Sequence, residues 1–363
     1  MPDALTARLL LRNAKPLKLP ERLTAEPPGT VIFADPEMRD ALTRRAEGLA
    51  GRLLPLELLG AGSDFDASRA IICSLADTRP ITAALAEKRP GLAVRSLTCD
   101  YMLAAASGLD PWTELEIIER QALPDRLYAV VCLPRSGSTY FCHLLQGLKT
   151  VAHPTEHLRP HILYLAAHGP ALGFDTVRWA GLVARTDSAG GLFGSKVITD
   201  FARELWPLLN GNQRSKLAAL IGPAKIIHLE RTDKFAQTVS QFIAEETRIW
   251  HVRQQGDGSA YRDAKQAVHY DGERLRTIHA GFAAAESGLR DWLEAHDGPV
   301  HHVTYEALLA DPERAVSDAV AFIRDEPAEP VGLTHERYFP MSDDINQAFA
   351  EKFAAELERD RQG

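Results

Sequence analysis

The turn Pro134-Arg135-Ser136-Gly137-Ser138-Thr139, entered from the apolar run Tyr128-Ala129-Val130-Val131-Cys132-Leu133, carries the residue types of an anion cradle. A strand that feeds a tight polar turn and then a helix aims the first free backbone N–H groups, and the positive end of the helix dipole, at one point. Gly137 can take a backbone angle that other residues avoid. Ser138 or Thr139 can cap the helix and bond an anion oxygen, and Arg135 adds a planar cation. The nucleoside-triphosphatase loop requires G-x-x-x-x-G-K-[ST], and neither its first glycine nor its lysine is present here. ATP or GTP hydrolysis is therefore disfavoured.

A second cationic position follows the run Lys225-Ile226-Ile227-His228-Leu229-Glu230, where Arg231 stands at the carboxyl end of an expected strand and Ser240 lies nine residues further on, in a helical pattern. The two can share one ligand only if the strand-to-helix turn folds back beside the strand end. Lys196 sits near the end of another strand-like run, 192–198. Glu156 lies in the segment 153–161, a Pro/His-rich loop expected to be exposed, and His153, His157 and His161 crowd the same loop.

These groups need a scaffold that gathers strand ends. Buried apolar runs at 127–133, 192–198, 224–230 and 300–304 alternate with helical patterns, which implies a mainly parallel sheet covered by helices on both faces. Ligands in such sheets rest at the carboxyl ends of the strands. Residues 1–123 read as a separate, smaller α/β unit, with strand-like runs at 30–34, 53–59, 70–74 and 92–97, helical patterns near 37–50 and 79–89, and no glycine-rich fingerprint after any strand. The segment 108–125 reads as a connector helix, and a second domain spans 124–363.

At 363 residues, 45% hydrophobic and 25% charged, the chain has the composition of a two-domain globular protein with a well-buried core. A net charge of −8 without a long basic block argues against nucleic acid or an anionic membrane as partner, so an anionic ligand must be met by a local positive site. The four cysteines, Cys73, Cys99, Cys132 and Cys142, show no metal-ligand or disulfide spacing, and reduced core thiols with no metal are expected. No run reaches membrane-spanning length, and a cytoplasmic location is the default expectation.

The cradle, the loop His153-Pro154-Thr155-Glu156, Gly194-Ser195-Lys196, and the stretch from His228 to Trp250 together resemble the bacterial carbohydrate sulfotransferase family that includes trehalose 2-sulfotransferase, also called NodH-like. The similarity extends to Tyr270, to Val303-Thr304-Tyr305-Glu306 with Asp311-Pro312, and to the tail around Arg337, covering about 124–363. The resemblance implies a P-loop-like sulfotransferase fold preceded by the smaller α/β domain, and 3′-phosphoadenosine 5′-phosphosulfate (PAPS) as donor substrate. By this resemblance Arg135, Ser136, Gly137, Ser138 and Thr139 hold the 5′ end of the donor, and Arg231 and Ser240 the 3′-phosphate. Glu156 occupies the position of the family's general base, and Arg135 and Lys196 are the catalytic cations expected to receive charge on the leaving group. A histidine base from the same loop remains a competitor.

His153 stands where trehalose-sulfating relatives carry a sugar-contacting glutamate, so trehalose itself is in doubt, and His153 and His157 are the acceptor candidates. The acceptor is expected to be a carbohydrate or other small alcohol. The first domain is open to three roles: acceptor recognition, self-association into a homo-oligomer, or docking to a neighbouring enzyme. Two further readings are a divergent nucleotide kinase and a nucleotide-binding scaffold without catalysis.

Overall fold

The structure, a computed structural model, describes residues 23–362 apart from 44–46, 50, 60–65, 75–77, 97–102, 105, 110–112, 114, 149, 173, 251–257 and 334–342. It divides into two compact units, one formed by Met1–Leu123, Arg159–Thr186 and Pro207–Leu217, the other by Pro124–Leu158, Asp187–Trp206 and Ala218–Gly363.

The first unit carries a four-stranded parallel sheet of order β2-β1-β3-β4, from β1 (Thr30–Ala34), β2 (Leu53–Pro55), β3 (Arg69–Cys73) and β4 (Ala93–Ser96). Its helices include α1 (Pro36–Thr43), α2 (Arg79–Lys88) and α3 (Leu115–Glu119). Ile32, Ala34, Leu53, Ile71 and Cys73 close one core cluster with Leu23, Leu42 and Leu49. The strand expected over 53–59 stops at Pro55, and a 3-10 turn takes Leu56–Leu59. Pro55 lies opposite Ala34, the last residue of β1, and without an N–H it cannot extend the ladder past its partner.

The second unit is built on β5 (Arg126–Cys132). The chain then runs through α4 (Ser138–Gln146), α5 (Pro160–Leu172), α6 (Thr176–Thr186), β6 (Leu192–Ile198), α7 (Thr199–Leu208) and α8 (Gly211–Ile221), of which α5, α6, the end of α7 and α8 up to Leu217 belong to the first unit. Next come β7 (Lys225–Glu230), α9 (Lys234–Thr247), α10 (Gly258–Gln266) and α11 (Gly272–Glu294). The last elements are β8 (Val300–Thr304), α12 (Tyr305–Ala310), α13 (Pro312–Arg324) and α14 (Asp344–Gln362). The strands pair in parallel in the order β6-β5-β7-β8.

Period-two alternation in β5 divides its side chains between two cores. Tyr128, Val130 and Cys132 face Phe141, Leu144 and Leu145 of α4 and Val316, Ala319 and Ile323 of α13. Val131, on the opposite face, joins Ile226 and Leu289. The expected sheet, with apolar strands covered on both faces, is what the chain forms. Cys73, Cys132 and Cys142 are free buried thiols, and Cys99 lies outside the described residues. No helix of the described residues is long and apolar enough to cross a membrane.

Gly194 has a packing role in this sheet. It is the register partner of Tyr128, and a β-carbon there would fall 2.5 Å from the phenol ring. The bare backbone lets the ring lie across β6, and the buried hydroxyl donates a hydrogen bond to the carbonyl of Ala152, immediately before His153. Gly194→Ala should force that ring aside and lower unfolding stability by about 1–3 kcal/mol, as overpacking does. Urea denaturation of the two proteins measures the difference, and an unchanged midpoint would contradict the packing account.

Candidate functional site

The carboxyl ends of β5, β6 and β7 lie along one edge of the sheet, with β5 in the middle. After β5 the chain goes first to one side of it, to β6, and then to the other, to β7. This reversal opens a crevice beyond the end of β5. Leu133 leaves β5, and the cradle follows in the crevice.

Ser138 is the first residue of α4, and the residue before it, Gly137, is the N-cap at φ 84°, with no side-chain capping bond. The expected hydroxyl cap is absent because Ser138 and Thr139 are already inside the helix, so the helix start is left for another acceptor. Ser136 is 1% exposed, and its Oγ has no hydrogen-bond partner among the described residues. An orphaned hydroxyl at an uncapped helix N-terminus fits an anion.

Arg135 has a φ of 61°, a left-handed conformation that costs a non-glycine residue about 1–2 kcal/mol. Its guanidinium leads away from the turn: Nε donates to Ser240 Oγ at 3.0 Å and Nη1 to the carbonyl of Trp250 at 2.8 Å. Arg231, just past β7, donates from Nη1 to the carbonyl of Arg135 at 3.5 Å, while its buried Nε has no partner among the described residues. Arg135, Arg231 and Ser240 thus form one group, in which the Arg135 side chain links the turn to Ser240 on α9. Burial lowers the pKa of Arg135, and the like charge of Arg231 adds to this against the opposing effect of Tyr261. An anion with more than one charge would compensate both cations.

Other elements fasten the turn. Gln237, buried on α9, donates from Nε2 to the carbonyl of Pro134 at 2.8 Å. Glu306 receives the backbone N–H groups of Thr232 and Asp233, each at 3.1 Å. Burial alone would raise its pKa, but those two N–H groups hold the carboxyl below the usual range. Tyr305 lies with its ring against Gly137 and beneath the Arg231 guanidinium.

The loop after α4 is not exposed as expected. Val151, Ala152, Pro154 and Leu158 are buried, and Thr155 bridges in parallel to Ser195 on the edge strand β6, its carbonyl accepting from the N–H of Lys196 at 2.9 Å. An unpaired edge strand offers backbone groups, and the loop uses them. Alternation then sorts the side chains: Lys196 Nζ meets Glu156 Oε2 at 2.5 Å on one face, with side-chain exposures of 9% and 21%. On the other face His157 Nδ1 lies 3.0 Å from Ser195 Oγ, and its Nε2 lies 2.7 Å from Asp187. Both ring nitrogens of His157 are therefore engaged in holding the loop. Burial, then nearby His157, lowers the pKa of His153, and its buried Nδ1 has no partner among the described residues. His161 lies in α5, outside the loop. Burial raises the pKa of the Cys132 thiol at the end of β5.

Sequence reasoning overlooked Gln237, Asp187 and the bracing by Tyr305 and Glu306. Tyr305 and Glu306 sit in a quoted motif, but nothing in their spacing said they would reach the cradle. Trp179 and Arg185 are committed to the backbone carbonyls of Ala106 and of Gln121 and Gly181. The tail around Arg337 lies outside the described residues. A cavity of about 690 Å³ between α9, α10 and α11, lined by Phe242, His269, Tyr270 and Arg276 among others, includes none of the candidate site residues.

Gly137→Ala would place a β-carbon 2.3 Å from the Tyr305 ring in a left-handed backbone, so a loss of about 1–3 kcal/mol in stability and of anion binding is expected. Thermal melting with and without adenosine 3′,5′-bisphosphate measures both. Glu306, with a depressed folded pKa, contributes stability above the ordinary carboxylate range that disappears as pH falls through the folded value. The Glu306→Gln protein should therefore show a shallower acid limb in melting temperature against pH below about 4.3, and parallel curves would contradict the assignment.

Comparison with known proteins completes the description. The profile of the Stf0 sulphotransferase family matches residues 127–356. Among solved structures, the sulfotransferase domain from the Synechococcus PCC 7002 olefin synthase is similar at 16% identity and a TM-score of 0.28, over 65% of this chain and 90% of that one. Among curated proteins none matches.

Proposed function

This chain belongs to the Stf0 sulphotransferase family, and we propose that it moves the sulfuryl group of PAPS to a hydroxyl of a carbohydrate or other small alcohol. The observation that supports this reading most is the single group formed by the uncapped cradle, Arg135, Arg231 and Ser240 at one edge of one sheet. The donor bears a phosphate on each side of its ribose, and this group offers a helix start to one and two guanidinium ions to the other.

In the proposed reaction the acceptor oxygen attacks sulfur in line, the S–O bond to the 5′-phosphate breaks, and the acceptor proton passes to the Glu156 carboxylate. Charge grows on the departing phosphate oxygen. The N–H groups at the start of α4, Ser136 and Lys196 are positioned to receive it, and fixed donors in a partly buried site need little reorganisation. The Lys196–Glu156 pair supports a double role: an arriving anion draws the ammonium towards the leaving group and releases the carboxylate to the acceptor. His153, whose Nδ1 has no partner among the described residues, is proposed to receive an acceptor hydroxyl, whereas His157 braces the loop.

Binding and turnover separate these roles. Arg231→Ala should weaken adenosine 3′,5′-bisphosphate by roughly tenfold or more, in keeping with a charge-assisted hydrogen bond of about 1.5–3 kcal/mol. Glu156→Gln should lower kcat by about 10²–10⁴ while leaving donor affinity nearly intact. Labelled PAPS offered with a panel of sugars and alcohols reads out transfer. Adenosine 5′-phosphosulfate binding as well as PAPS would overturn the 3′-phosphate assignment, and magnesium-dependent ATP turnover would favour a kinase instead.

A further inference from the structure

We propose that Tyr305 is the positioning residue that sets the protein's preference for a ligand phosphorylated on the 3′ side, acting through Arg231. The inference builds on the donor reading above and adds to it the residue on which 3′ selectivity depends.

Tyr305 opens α12, directly after β8, and its ring stands between the two halves of the anion group. On one side the ring meets the cradle: a β-carbon at Gly137 would lie 2.3 Å from Cδ2 and 2.7 Å from Cε2. On the other side the Arg231 guanidinium carbon lies 4.8 Å from the ring centroid, within the range of cation–π attraction. The neighbouring residue completes the hold, because Glu306 takes the N–H groups of Thr232 and Asp233, the two residues that follow Arg231. One dipeptide therefore fixes the arginine's side chain through a ring and its backbone surroundings through a carboxylate.

The choice of an aromatic ring has a chemical consequence. A carboxylate partner would orient Arg231 and also neutralise it, leaving little net attraction for a phosphate. An aromatic face orients a planar guanidinium and leaves its full charge. Among the described residues no carboxylate pairs with Arg231, and its Nε has no partner although it is buried. The arginine is thus held by a neutral surface, pre-aimed, with hydrogen-bonding capacity left over. Pre-aiming matters for selectivity because ordering a long side chain at the moment of binding costs affinity for just the group it recognises.

The test compares adenosine 3′,5′-bisphosphate with adenosine 5′-monophosphate by calorimetry on the full chain, with melting curves to establish folding. Wild-type protein should prefer the bisphosphate. Tyr305→Phe should keep that preference within about twofold, and Tyr305→Leu should weaken the bisphosphate about tenfold while changing the monophosphate little. Because leucine also changes the packing over Gly137, Tyr305 replaced by 3,4,5-trifluorophenylalanine gives a second arm: it fills the space of a ring but loses the attraction for a cation. Its preference should fall as in the leucine variant. In an Arg231→Ala background, none of these replacements should alter the preference further. Equal weakening of both ligands, or an undiminished preference with the fluorinated ring, would overturn the role of Tyr305 while the donor reading stands. A wild-type protein indifferent to the 3′-phosphate would overturn both.

Discussion

A parallel ladder puts the carboxyl ends of adjacent strands on the same edge of a sheet, and with β5 lying between β6 and β7 that edge collects three stretches of chain far apart in sequence. β5 delivers the cradle, β7 delivers Arg231, and β6 delivers Lys196 two residues before its end. In an antiparallel arrangement, adjacent strands would place these groups at opposite ends. Burial of β5 on both faces holds the ladder in register, since a one-residue slip would exchange Tyr128, Val130 and Cys132 for the residues of the other core.

The site built on this edge is assembled against local preferences. Arg135 holds a left-handed backbone, the buried Nε of Arg231 has no partner among the described residues, a lysine is almost fully buried, and a helix start lacks a side-chain cap. Each arrangement costs free energy in the absence of a ligand. The surrounding contacts offset these costs: Gln237 on Pro134, Glu306 on the β7–α9 turn, Tyr305 under Arg231, and Glu156 on Lys196. Strain and unmet polar capacity concentrate where an anion would relieve them.

The loop between α4 and α5 shows how far residue type misleads about exposure. Its histidines, prolines and glutamate suggested a solvated segment, yet it lies along β6 as an added partner and buries Val151, Ala152, Pro154 and Leu158. Composition could not reveal that β6 is an edge strand with free backbone groups, because strand order depends on all four strands at once. The same limit applies to Gly194. It appeared as part of a chemical G-x-K motif, and the fold adds a packing reason, the Tyr128 ring lying across it. The second-unit strands, by contrast, were legible almost to the residue, since period-two burial in apolar runs is a local property.

By itself the sequence determined the α/β class, the parallel sheet covered on both faces, the strand-turn-helix cradle and the cation just past β7, because periodicity, turn chemistry and helix starts act over a few neighbouring residues. Only the tertiary structure decided that Arg135 turns to Ser240, that Glu156 finds Lys196 while His157 is taken by Ser195 and Asp187, and that Tyr305 stands between cradle and arginine. Those choices depend on which strand ends become neighbours and on which face of each strand a side chain emerges, and strand order and register are settled by the packing of the whole unit.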